Sequence, residues 1–276
     1  MRKLMIAALA PALIGGTMSA ALAGETLDRV MKNKVLVEVT DQAYPPFSYI
    51  DESGEVVGLD VDIAKEIAKR LGVEYKVETP SWEIIVAGNW HGRWDICVCS
   101  MTPTSERAQV LDFVNEYYAA PANIVVNVDN NDIKAATDLT GKKVGAQAGT
   151  TYEKYLLKEL SIEKAAPIEF PFGDLTTVPY DSEDTAFQDL ALGTGKRLDA
   201  VVSGYLTAKE RVDKNPDKFK IVGEPLYGEP IWVAVDKGDP EWQAKIKEIF
   251  KAMEADGTLK AISEKWVGAD ITSKQM

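Results

Sequence analysis

Histidine and cysteine are nearly absent from this chain, with one His and two Cys in 276 residues. A Ser/His/Asp triad would have to draw on His91, which sits in a Trp90-His-Gly-Arg-Trp94 loop, and a structural zinc site needs four Cys or His ligands. The zinc site cannot be assembled, the triad is not expected from a single loop histidine, and no metal or cofactor is expected. Positive charge is also short, 31 Lys and Arg against 43 Asp and Glu, for a net charge of -12. A polyanionic backbone needs cationic contacts, so nucleic acid is a poor partner. Beyond the amino terminus there is no long apolar run, which argues against a polytopic membrane protein. Neither a Gly-rich, Lys-containing phosphate loop nor a Gly-x-Ser-x-Gly elbow occurs, leaving nucleotide hydrolysis and elbow-type acyl transfer without their residues.

What is present is an ordinary globular composition, 46% hydrophobic and 27% charged, at a length that suits one large domain or two smaller ones. Two lobes are expected. At the amino terminus Arg2 and Lys3 precede the apolar stretch Leu4 to Gly15, and small residues lead to Ala23. This pattern predicts a secretory signal peptide, residues 1–23, cleaved after Ala23. Pro11, Gly15 and Gly16 interrupt a run already shorter than the ~20 residues of a membrane span. Loss of Arg2 and Lys3 takes the net charge from -12 to -14, and the product is expected to be a soluble periplasmic protein.

From Lys34 onward β-rich runs alternate with helical patterns, the sign of an α/β fold with helix-covered, mostly parallel sheets. Strands are predicted at Val35–Val39, Glu74–Glu78 and Asp95–Cys99. A helix is predicted from Leu59 to Leu71, with Val61, Ala64, Ile67, Ala68 and Leu71 on one face and Gly72 as its stop. A second unit starts near Lys142, with strands at Lys143–Ala146, Ile168–Phe170 and Leu198–Val202 and helices opening at Thr150 and spanning Thr185–Leu192. Ala122–Val128 and Leu226–Val235 are candidate crossings between the units, and the chain closes with helices over Pro240–Met253 and Leu259–Trp266.

Several stretches carry chemistry. Asp41-Gln-Ala-Tyr44-Pro-Pro-Phe47 follows the first strand, where α/β sheets bind ligands; Pro45 and Pro46 would stiffen Tyr44 as an aromatic wall and leave Asp41 for an amine. A rigid surface turn is the plainer reading. In Gly58-Leu-Asp60-Val-Asp62 an acid is expected to cap the following helix. The run from Asp95 to Arg107 leads a buried strand into hydroxyl-rich chain, and an arginine able to grip both oxygens of a carboxylate follows. The same residues also suit a helix starting near Thr104 with Arg107 in a surface ion pair. Cys97 and Cys99 share a strand face at a spacing poor for a disulfide, so buried free thiols are expected. Gly149-Thr150-Thr151-Tyr152 lies between a strand and a helix, as an anion-binding turn or an ordinary N-cap. Trp82, Trp90, Trp94 and Trp232 make the first unit rich in aromatics, suited to core packing or to a bulky or cationic ligand.

In order and spacing, these pieces resemble the periplasmic solute-binding proteins of polar amino acid ABC importers, family 3. The signature comprises Tyr44–Phe47, Gly58–Asp62, the Asp95–Arg107 run, Gly141-Lys-Lys-Val-Gly145, Gly149-Thr-Thr and Arg197-Leu-Asp-Ala200. The resemblance implies a type II periplasmic-binding-protein fold: lobe 1 from residues 24–118 plus 230–276, lobe 2 from 119–229, and two crossing segments between them. It implies capture of an amino acid or related small carboxylate by a monomer that delivers it to a membrane permease. Arg107 would clamp the ligand carboxylate with Ser100, Thr102 and the amides near Thr150 and Thr151. Tyr44 and Trp82 would stack on the ligand, Asp41 would meet an amine, the backbone of Cys99 would form the floor, and Tyr152 would reach in from lobe 2.

One position departs from the family. An aspartate usually follows the strand after Leu-Asp-Ala and holds the ligand ammonium, whereas Ser203 and Gly204 stand there and complete the expected binding set. Three explanations follow: Asp41 or an acid near Glu183 substitutes, the ligand carries a modified or absent α-amine, or it is not a standard amino acid. The same fold also resembles exported cyclohexadienyl dehydratases, which a prephenate turnover assay would reveal. A ligand-sensing protein is a third reading.

Overall fold

The computed structural model describes residues 24–272, so the expected signal peptide lies outside the described residues. Helix α1 (Glu25–Asn33) leads into β1 (Val35–Val39), followed by a small antiparallel sheet of β2 (Ala43–Tyr44), β3 (Ser48–Ile50) and β4 (Val56–Val57). Then come α2 (Leu59–Leu71), β5 (Glu74–Glu78), α3 (Trp82–Val86), β6 (Cys97–Met101) and the long strand β7 (Leu111–Asn127). The next stretch carries β8 (Lys143–Gln147), α4 (Thr151–Leu156), β9 (Thr176–Tyr180), α5 (Glu183–Ala191), β10 (Ala200–Gly204) and α6 (Tyr205–Lys214). A second long strand, β11 (Phe219–Asp236), and helices α7 (Pro240–Ala255) and α8 (Thr258–Val267) complete the described chain.

The architecture hangs on β7 and β11, which pair antiparallel along most of their length in a sheet ordered β6-β11-β7-β10-β8-β9. At one end Leu111–Tyr118 faces Ile231–Asp236; at the other Ala122–Asn127 faces Phe219–Val222 and Tyr227. Each end supports its own α/β core. The first core packs α2, α7 and α8 over Leu36, Ile96, Val98 and Val233, while the second packs α4 over Ile124, Val126, Val144 and Val202. In the first lobe β1 and β5 are parallel and Glu38 bridges to Ile96; in the second β10, β8 and β9 are parallel. The two crossing runs read from sequence are thus parts of one shared ribbon.

Local chemistry explains the well-placed elements. In α2 all five apolar positions named from periodicity are buried, and Gly72 takes the left-handed conformation (φ 70°) and returns its N–H to Lys69, stopping the helix. Thr150, Ser182 and Asp239 cap α4, α5 and α7 with their side chains.

Four expectations need correction. Ile168–Phe170 is not a strand, because Pro167 and Pro171 flank it and cannot donate ladder hydrogen bonds. Phe170 instead packs its ring 5.4 Å from that of Tyr155, and the partner of β8 is β9, an edge strand that tolerates Pro179. The third strand begins at Cys97 rather than Asp95, whose carboxylate accepts the Val37 N–H and pairs with Arg29 at 2.8 Å. The acids opening α2 do not cap it: Gly58 holds the N-cap position, Asp62 bonds to Trp266, and Asp60 turns into the core. Finally, Cys97 and Cys99 are joined by a disulfide. The Cα separation of 5.2 Å falls within the range a disulfide requires, and β6 is irregular here, its register against β11 shifting between Trp232 and Ala234.

Candidate ligand-binding cleft

Between the two cores lies a small cavity lined by residues of both. Ten of the residues singled out from sequence line it: Asp41, Tyr44, Trp82, Cys99, Ser100, Thr102 and Arg107 from the first lobe, and Thr150, Thr151 and Tyr152 from the second. They converge because they sit at or after the carboxyl ends of strands, β1, β5 and β6 on one side and β8 on the other.

Arg107 is the central cation. It opens a short 3-10 turn, Arg107–Gln109, rather than the regular helix considered from sequence, and it is buried rather than paired at the surface. Its guanidinium donates to the Thr102 carbonyl at 2.9 Å and, across the cleft, to the Gly149 carbonyl at 2.9 Å. The Trp82 ring lies 5.4 Å from the guanidinium carbon, and the Trp82 indole N–H donates to the same Gly149 carbonyl at 3.2 Å. Burial lowers the Arg107 pKa to about 10, which leaves it charged at neutral pH.

Two further polar bridges span the lobes. Gln147, which sequence reasoning missed, donates its amide to Asp41 at 2.6 Å, and Asp41 also accepts the Ala43 N–H. Burial raises the Asp41 pKa, and these bonds offset part of the rise. The Tyr44 and Tyr152 hydroxyls meet at 2.7 Å. Phe47 stacks on both Tyr44 and Tyr118, so the Tyr-Pro-Pro-Phe turn holds Tyr44 against the first core.

Below the floor, Ser100 rests on a buried network. Its hydroxyl donates to Asp60 at 2.7 Å, its N–H donates to Tyr117, and Tyr117 donates to Asp60 at 2.8 Å. Burial outweighs those bonds and raises the Asp60 pKa to about 7.

Thr150 lines the cavity while its side chain is engaged elsewhere, and two expected contacts lie outside the lining. The Thr150 hydroxyl caps α4 and donates to the Gln147 carbonyl at 2.6 Å. Ser203 and Gly204 do not line the cavity. Ser203 donates to Glu183, a buried acid whose pKa burial raises to about 7 despite Arg211 nearby at 3.6 Å. At Gly204 a Cβ would lie 2.3 Å from the Tyr44 hydroxyl oxygen and 2.7 Å from that of Tyr152. The place where the family carries an acid is closed by the tyrosine pair.

Sequence reading also missed Glu229. It lies on β11, far in sequence from every signature, and lines the same cavity. The hydroxyls of Thr102 and Thr151, one from each lobe, donate to its Oε1 at 3.1 and 2.5 Å. An acid interrupting the apolar alternation of a crossing strand was the available signal.

Comparison with known proteins agrees with this geometry. Residues 36–269 match the model of the bacterial extracellular solute-binding proteins, family 3. The L-cystine-binding protein TcyJ of Escherichia coli (strain K12) is 32% identical over 273 residues, covering 98% of this chain and 97% of that protein. The L-arginine-binding protein of Pseudomonas aeruginosa is 33% identical over 240 residues, covering 84% and 87%. A solved structure of an ancestral arginine-binding protein bound to arginine superimposes with a TM-score of 0.75 at 38% identity, covering 84% of this chain and 98% of that one. With its two α/β cores, shared ribbon and polar cleft, this chain belongs to family 3 of the bacterial extracellular solute-binding proteins.

Proposed function

We propose that this protein is the periplasmic solute-binding component of an amino acid ABC importer. It captures an amino acid or related small carboxylate between lobe 1, residues 24–118 plus 230–276, and lobe 2, residues 119–229, and presents it to the membrane permease. Export rests on the amino-terminal signal pattern ending at Ala23, and a periplasmic location accords with relatives such as the histidine-binding periplasmic protein of Escherichia coli. The reading is of a receptor, without turnover.

The observation that carries this function is Arg107, a buried guanidinium in the cleft whose hydrogen bonds, among the described residues, go to backbone carbonyls. A carboxylate is the stronger acceptor for a guanidinium, so a ligand carboxylate would replace one or both carbonyls at a net gain. Trp82 and Tyr44 add aromatic walls to the same cavity. The bridges from Gly149 to Arg107 and Trp82 belong to the closed arrangement, so a ligand that favours this arrangement shifts the hinge toward it.

Calorimetric titration of ligand-stripped protein tests the proposal. The panel holds the common L-amino acids, L-cystine and simple carboxylates. A saturable heat with one of the amino acids is expected; no binding across the panel, or turnover of prephenate, would overturn it.

A further inference from the structure

Arg107 and Glu229 line one cavity with opposite charges, both buried, and they attract each other across it without a direct ion pair. Arg107 is bonded to two carbonyls, and Glu229 accepts the Thr102 and Thr151 hydroxyls on Oε1, with the Tyr152 hydroxyl a further partner. Buried charges are ordinarily paired, because desolvation without a partner is costly. A cation and an anion that share a cavity without touching form a complement to a zwitterion, and the common small zwitterion is the head group of a free α-amino acid.

We infer that Glu229 is the specificity-determining residue that accepts the ligand α-ammonium while Arg107 takes the α-carboxylate. This rests on the amino acid reading of the cleft and adds the group that makes the site select a free amine. The alternatives suggested by the sequence are otherwise engaged. Asp41 is bonded to Gln147 and Ala43, Glu183 is bonded to Ser203 outside the cavity lining, and position 204 has no room for a side chain. Glu229 also reports on both lobes at once, since Thr102 belongs to one and Thr151 to the other. An ammonium at Glu229 would therefore tie the head group to the closed arrangement.

The test pairs a variant with a ligand change. From the panel above, the amino acid bound most tightly by the wild type is taken with its deamino analogue, in which hydrogen replaces the α-amine. Glu229→Gln is close in shape and neutral, and Glu229→Asp keeps the charge. The expected result is that Glu229→Gln binds the amino acid roughly 10- to 100-fold more weakly, that the deamino analogue binds wild type and Glu229→Gln alike, and that Glu229→Asp retains preference for the amine. Unchanged amino acid affinity in Glu229→Gln, or an equal loss for both ligands, overturns the role of Glu229 while the receptor reading stands. If the wild type binds no compound with a free α-amine, the amino acid reading fails first and this assignment with it.

Discussion

The hydroxyls of Tyr44 and Tyr152 meet 2.7 Å apart across the cleft, in the volume that a side chain at position 204 would need. The glycine is thus a condition for lobe closure through this pair. Gly204→Ala places a methyl 2.3 Å from the Tyr44 oxygen, and overpacking of this kind costs about 1–3 kcal/mol. The variant is expected to bind ligand roughly 5- to 100-fold more weakly and to show a larger radius of gyration by small-angle scattering. Adding Tyr44→Phe, which removes the nearer oxygen, should recover part of the loss.

Arg107→Met separates binding from folding. Removal of one partner from a buried charged contact costs about 2–5 kcal/mol, so affinity for a carboxylate ligand should fall by more than tenfold in calorimetry. Without ligand, the melting temperature should stay close to that of the wild type, because the lost carbonyl bonds are offset by relief of a buried guanidinium.

Stability should decline as pH rises from about 5 to about 7.5. Asp60 and Glu183 each have a folded pKa raised to about 7 by burial, above the ordinary carboxyl range. The folded state therefore holds protons that the unfolded state releases; stability is fullest below the unfolded values and is lost as pH climbs to the folded ones. At about 1.4 kcal/mol per unit, Asp60 contributes on the order of a few kcal/mol. Asp60→Asn should flatten the pH dependence of urea midpoints across this window, and an unchanged slope would show that Asp60 does not titrate there.

The Cys97–Cys99 disulfide closes a very short loop, for which chain entropy gives about 1–2 kcal/mol. Native protein should yield no thiol to alkylation until it is reduced. Cys97→Ala with Cys99→Ala should lower unfolding free energy by about that amount and also weaken ligand binding, because Cys99 lines the cleft.

Much of this molecule was legible in advance where the signal is local. Periodicity gave α2 its bounds and buried face, because a 3.6-residue repeat of apolar side chains needs no distant partner to be read. The strands β1 and β5 agree with their predicted bounds for a similar reason. The misses are non-local. Ile168–Phe170 reads as a strand by composition, yet pairing depends on neighbours and on N–H groups that Pro167 and Pro171 lack. Asp60 reads as a helix cap, and only the packing of α2 against β6 and β7 turns it toward Ser100 and Tyr117.

The class of machine is already present in the order of residues: the α/β alternation, the two long crossings, the arginine after a hydroxyl-rich strand end and the aromatic turn. These are set by residue type and short spacing, which fix backbone conformation and burial within each element. Which groups share the cleft depends on how the folded chain brings distant residues together. Glu229 lies 127 residues from Thr102 and 78 from Thr151 in the chain, and Gly204 has meaning only beside Tyr44 and Tyr152. Charge complementarity acts through space over a few ångströms, so the choice of ligand is written where the two lobes meet and not in any one stretch of chain.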